Sequence, residues 1–153
     1  MGQRRLAREA TVTMLYSVDI CGLSLEEAMS AFWQEHDLPS ETKEFATFLT
    51  QGTYKNLVEI DSLISKYAEN WELKRMASID RAILRLGTFE LMNQLDTPVN
   101  VIIDEAIEIA KKFSTADSGK FVNGILDKIK EEVRKNTDSH RFVYIGVPIC
   151  VYL

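Results

Sequence analysis

Two clusters in the sequence combine residue types that can hold an anionic polymer. Near the amino end stand Arg4, Arg5 and Arg8, with Glu9 as the single acid close by in sequence. Farther along, Lys111 and Lys112 precede Phe113, and Lys120 precedes Phe121, with Asn123 two residues on. Cationic side chains neutralise phosphates, and a partly exposed ring stacks on a base, a contact worth about 1–3 kcal/mol. The combination suits a polymer that carries both negative charge and flat bases. Tyr16 is a further candidate contact, its plain alternative being a half-buried ring with the hydroxyl in water.

Catalytic chemistry finds little to work with. Neither His36 nor His140 has a nucleophile or acid nearby in sequence, no GxSxG or phosphate-cradling glycine loop occurs, and Cys21 falls on an apolar stripe. Asp104, Glu105 and Glu108 resemble the start of a metal or acid/base site, but nothing completes one. With Lys111 and Lys112 three or four residues on, a solvated, salt-bridged helix face is the reading. Cys21 and Cys150 lack any CxxC or HxxxH neighbour, which argues against zinc and for a reduced cytoplasmic setting. No enzyme, metal or cofactor is expected.

The elements that must position these residues read as helices. Ala7, Ala10, Met14, Val18 and Cys21 recur at three or four over residues 3 to 21, Gly22 suits the position just past a helix end, and Arg4 and Arg8 share one exposed face. Ser24 and Glu27 form a capping box for a second helix toward His36. After Pro39, Ser40 caps a third, longer helix with a stripe from Phe45 through Leu49, Gly52, Leu57, Ile60 and Ile64 to Tyr67. Asn70 and Trp71 mark a break. Met76, Ile79, Ile83, Leu86 and Phe89 then define a helix to about residue 95, closed by Asp96-Thr97-Pro98. Ile103, Ala106, Ile107, Ala110 and Phe113 make the next face. Asp117 or Ser118 caps a last helix whose stripe is Phe121, Val122, Ile125, Leu126, Ile129 and Val133, after a link of about four residues. Gly52, Gly87 and Gly124 sit inside helical patterns at about 1 kcal/mol each, which close helix contact would explain, or for Gly52 a kink.

At 153 residues the chain is long enough for one domain that buries roughly 70% of its unfolded surface. The first 136 residues read as that domain. The apolar, β-prone run from His140 to Leu153, broken by Gly146 and Pro148, reads as a tail from about 137 that is flexible or lies in a surface groove. No stretch of eighteen apolar residues occurs, so no membrane span is expected. The net charge of -5 opposes wholesale coating of nucleic acid, which leaves a locally basic amino end on an otherwise acidic body.

Three stretches resemble the NusB family of bacterial transcription antitermination proteins. They are Arg4 to Ala10 with Leu15-Tyr16, then Ile79 to Leu86 with Glu90-Leu91, and above all Pro98 to Asp127, containing Asp117-Ser118-Gly119-Lys120-Phe121-Val122-Asn123-Gly124. The resemblance spans about residues 4 to 135. It implies an all-α fold of about seven helices in two subdomains and no catalysis. It also implies binding to the single-stranded boxA segment of nascent ribosomal RNA together with NusE, a small-subunit ribosomal protein, and through them to other Nus factors and RNA polymerase. RNA is then expected along Arg4, Arg5, Arg8 and Tyr16 and at the corner of Lys111, Lys120, Phe121 and Asn123. NusE is expected on the face carrying Tyr67, Asp80 and Asp117. Two rival readings remain: a stand-alone regulatory domain related to ribosomal RNA cytosine methyltransferases, and a structural helical homodimer.

Overall fold

Gly22 stops the first helix in the left-handed region at φ 69°, where residues with a Cβ are strained. Ser24 starts the second: its hydroxyl accepts from the Glu27 N–H at 3.1 Å while Glu27 Oε1 accepts from the Ser24 N–H at 2.9 Å. The structure, a computed structural model, describes residues 2–69 and 72–139, with side chains as far as Arg134. Among these residues the chain is all helical: α1 Gln3–Cys21, α2 Leu25–Glu35, α3 Ser40–Lys55, α4 Leu57–Tyr67, α5 Ser78–Asn93, α6 Val99–Phe113 and α7 Ala116–Ser139, with a 3-10 turn at Leu73–Arg75. The expected break at Asn70 and Trp71 and the apolar tail from His140 lie outside the described residues.

Three boundaries differ from expectation. The long third helix is two helices, because Asn56 leaves helical geometry at φ -103° and ψ 20°. Its backbone N–H and its Nδ2 both donate to the Gly52 carbonyl, at 3.2 and 2.7 Å, so the side chain competes for the acceptor of the preceding turn. Ser40 is the first residue of α3 rather than its cap, a position held by Pro39 without a side-chain hydrogen bond. At α7 the cap is Thr115, whose Oγ1 accepts from the Ser118 N–H at 3.1 Å. Asp117 and Ser118 therefore belong to the first turn, and the link from α6 is only Ser114 and Thr115.

The element everything packs around is α5. From Asp80 to Met92 each of its residues is buried except Arg85. A large core gathers Phe89, Ile83, Leu84 and Leu91 with Ile60 and Ile64 of α4, Ile102 and Ile109 of α6, and Leu126 and Ile129 of α7. A smaller one joins Ala7, Ala10 and Met14 to Ala46, covered by Met29, Phe32, Trp33 and Leu38. Helices α1 and α3 reach across both cores, into the larger one through Val12, Leu15 and Leu49. Each large side chain so buried contributes about 1.5–3 kcal/mol.

Glycine spacing confirms close contact at two sites. A Cβ on Gly52 would stand 2.2 Å from Phe89 Cζ, and one on Gly87 would stand 2.9 Å from Leu126 Cδ1. Gly124 is different: a Cβ there meets nothing within 4 Å, so close packing does not account for it. On α6 the buried face is Ile102, Ile103, Ala106, Ile109 and Ala110, wider than expected, with Ile107 half-buried and Phe113 exposed. Cys21 is exposed at the end of α1 instead of lying on its apolar stripe. Among the described residues no helix is long and apolar enough to cross a membrane.

Candidate nucleic-acid interface

The amino end of α1 lies against α3, α5 and α6, and its arginines part company there. Arg4 stays exposed and sets its guanidinium over the Phe45 ring of α3, 4.3 Å from the centroid. Arg5 turns the other way and donates through Nε at 3.0 Å and through Nη2 to the two oxygens of Glu105 on α6. Arg8 points inward. Its Nε and Nη2 donate to Glu90 Oε1 and Oε2 at 2.7 and 3.0 Å, with side-chain exposures of 5% and 2%.

The exposed face shared by Arg4 and Arg8 is therefore corrected: Arg8 is a core residue. A guanidinium on a helix surrounded by Ala7, Ala10 and Thr11 can enter the interior only with its countercharge, and Glu90 supplies it from within the apolar run of α5. Burial pushes the Glu90 carboxyl up, an effect that the Arg8 hydrogen bonds oppose. An acid set directly between Phe89 and Leu91 on the core side of α5 was the sequence signal for this pair.

Glu9 is not the only acid near these cations once the chain is folded. Glu105 also lies 3.6 Å from Arg8 Nη1, and the Arg5 hydrogen bond holds its carboxyl below the usual glutamate range. Glu9 itself takes Lys112 at 2.9 Å. The solvated α6 face of Asp104, Glu105 and Glu108 is thus corrected in part. Asp104 is exposed and Glu108 lies 3.4 Å from Lys111, as that pattern has it, while Glu105 and Lys112 pair across to α1.

At the α6–α7 corner, Lys111, Lys120 and Asn123 are exposed. The two rings differ in exposure. Phe113 is 39% exposed, with Lys112 Nζ 5.7 Å from its centroid, whereas Phe121 is partly buried against the large core. Helix α7 turns the Phe121 side inward together with Val122, and α6 has already left the core at its last residue. Tyr16 is half-buried on α1.

The face expected to meet a protein partner is also rearranged. Asp80 is 7% exposed and accepts from Ser118 Oγ at 3.2 Å, while its Oδ1 has no hydrogen-bond partner among the described residues. Burial pushes its carboxyl up, with the Ser118 hydrogen bond acting against it. Its neighbours on α5, Arg81 and Arg85, turn away from it. Arg81 donates to Asp19 at 2.7 Å and Arg85 to Asp61 at 2.8 and 2.9 Å, which ties α5 to α1 and α4. Asp117 is exposed beside Ser118. Tyr67 lies elsewhere along α7, donating to Glu132, and that hydrogen bond holds its hydroxyl above the usual tyrosine range. From Ser118 to Glu132 the α7 axis rises about 21 Å, so Tyr67 and the Asp80–Asp117 pair stand toward opposite ends of one surface.

Among the described residues no group of three or more His, Cys, Asp or Glu could hold a metal ion. What the geometry offers is graded exposure: Arg4, Lys120, Asn123 and Phe113 open to solvent, Arg5 and Lys111 held by acids but reachable, and Arg8 sealed. The exposed cations and ring have the chemistry to bind phosphates and bases.

Known proteins share this fold. The transcription antitermination protein NusB of Sorangium cellulosum (strain So ce56) is 42% identical over 133 residues, which span 87% of this chain and 95% of that protein. The solved NusB of T. maritima superposes with a TM-score of 0.78 at 43% identity, over 84% of this chain and 91% of that one. A solved complex of the antitermination factors NusB and NusE with double-stranded RNA matches with a TM-score of 0.79 at 27% identity, over 85% and 97% of the respective chains. The NusB family model matches residues 5–131. The chain belongs to the NusB family.

Proposed function

We propose that this chain is a transcription antitermination factor that acts by assembly and not by catalysis. It binds the boxA segment of nascent ribosomal RNA together with NusE, and the pair joins other Nus factors on RNA polymerase in the cytoplasm. The observation that carries this reading is the match to a solved complex in which a NusB protein sits with NusE and RNA. Relatives of nearly the same length named as transcription antitermination proteins support it, and they weigh against a detached methyltransferase domain.

In this reading Arg4, the outer edge of Arg5, Lys111, Lys120 and Asn123 contact RNA, with Phe113 and the exposed part of Phe121 available for stacking. Tyr16 borders that surface. Arg8 serves from within, as the countercharge that seats α1 on α5. NusE takes the face of Tyr67, Asp80 and Asp117. Two weak contacts made by one body raise the effective concentration of each for the other, so modest affinities combine into a stable complex.

The test is an electrophoretic mobility shift of boxA RNA with and without NusE, run in parallel on single-stranded and double-stranded forms. Expected is a shift with the single strand that strengthens when NusE is added. No shift with either form in the presence of NusE would refute the reading. Sedimentation of the free chain addresses the rival homodimer directly.

A further inference from the structure

The ionic contacts at the amino end form a chain that climbs from the core to the surface and passes between three helices. Glu90 of α5 holds Arg8 of α1, Arg8 approaches Glu105 of α6, and Glu105 holds Arg5 one turn back on α1. Side-chain exposure rises along it, from 2% and 5% to 18% and 30%.

Both full pairs use the same edge of the guanidinium. Arg8 and Arg5 each donate through Nε and Nη2, the side-on geometry. A guanidinium carries five N–H groups in a rigid fork, so a side-on carboxylate leaves the end-on edge unoccupied. For Arg8 that edge turns to Glu105, with Nη1 at 3.6 Å. For Arg5 no hydrogen bond among the described residues reaches Nη1, and the side chain is 30% exposed.

We infer that Glu105 is a positioning residue for nucleic-acid binding: braced by Arg8 and Glu90, it fixes Arg5 side-on and presents the end-on edge to a phosphate. This rests on the RNA-binding reading. Two charges of each sign cancel within the relay, so it supplies direction and not net potential. An unconstrained arginine loses rotamer freedom when it grips a phosphate, whereas one already held loses little. Phosphate, with its planar pair of oxygens, matches the free edge bidentately.

The test is a double-mutant cycle on the complete chain: Arg5→Ala, Glu105→Ala and both together, with fluorescence anisotropy on labelled boxA RNA and circular dichroism on each variant. Each single change should weaken binding about three- to tenfold. The double variant should bind no more weakly than Arg5→Ala alone, and both singles should flatten the log-log salt dependence by about 0.7. Glu105→Gln, which keeps the shape and one acceptor, should recover part of the loss; it also decides the matter if the alanine variant loses helix content. Wild-type binding with undiminished binding by Glu105→Ala and Glu105→Gln overturns the relay alone. An equal loss from Glu105→Ala whether or not Arg5→Ala is also present overturns it as well. Failure of the wild-type chain to bind RNA at all overturns the underlying reading and the relay with it.

Discussion

Arg8 and Glu90 meet inside the protein across 82 residues of sequence, Nε to Oε1 at 2.7 Å and Nη2 to Oε2 at 3.0 Å. The pair joins the first helix to the central one at a place where both backbones are buried. Removing one partner leaves the other charge stranded, so Arg8→Ala should cost about 3–5 kcal/mol in urea denaturation. Replacing both, as in Arg8→Met with Glu90→Leu, should restore most of that loss. A double variant as unstable as the single would show that packing, and not the stranded charge, sets the penalty.

Acid should act on Glu105 in a defined direction. Its folded carboxyl lies below the usual value of 4.5, first because of the Arg5 hydrogen bond. The stabilisation is therefore complete above the unfolded value and is lost as pH falls through the folded one. Glu105→Gln should be less stable than wild type at pH 7, and the gap in urea midpoints should narrow as pH falls below 4.5 and through the lowered folded value. Burial raises Asp80 and Glu90, the opposite sign; Asp80 is common to the two proteins and drops out of the difference, whereas Glu90, raised also by the Glu105 charge, loses that smaller contribution in the variant.

Two glycines of equal sequence appearance should respond oppositely to alanine. At Gly52 the new methyl would need the Phe89 ring to move, since Cζ is 2.2 Å away, and overpacking of this kind costs about 1–3 kcal/mol. At Gly124 the space is open, so the better helix propensity of alanine should stabilise by about 1 kcal/mol. Thermal melts of the two variants, shifted in the same direction, would contradict this.

Salt dependence counts the phosphates. With Arg8 sealed, four contacts remain at Arg4, Arg5, Lys111 and Lys120, which gives a log-log slope of about -3 for single-stranded RNA at about 0.7 each. Lys120→Ala should reduce its magnitude by about 0.7, and Arg4→Ala by a similar amount. Titrations between low and moderate salt that return the wild-type slope for both variants would take these residues off the RNA path.

On the partner face, immobilised NusE should retain less of Asp80→Ala and Asp117→Ala than of wild type, with far-ultraviolet circular dichroism unchanged. Tyr67→Phe should be captured nearly as well as wild type, because the hydroxyl already donates to Glu132 within the chain. Strong loss from Tyr67→Phe alone would reverse that ranking.

Helix order was legible in the sequence because its punctuation is local. Gly22, the Ser24–Glu27 box and Pro98 each act over four residues or fewer, and each appears where pattern reading places it. The division at Asn56 was not, since the apolar stripe runs on across a residue whose side chain bonds backward to Gly52. The site was legible in its residue types and hidden in its pairings. Nothing near Arg5 or Arg8 in sequence announces Glu105 or Glu90, and no periodicity reveals that Arg81 and Arg85 turn to Asp19 and Asp61 rather than to their neighbour Asp80.

The self-cancelling charges at the amino end change how a transcript would arrive. Each cation there except Arg4 already has an acid of its own among the described residues, and the chain as a whole carries -5, so the end exerts little net pull, and beyond a screening length of about 8 Å an approaching strand feels almost none. Encounter is then left to chance collision rather than long-range pull. Capture becomes a slow, contact-limited event, best served by a chaperoning neighbour that brings the strand within reach.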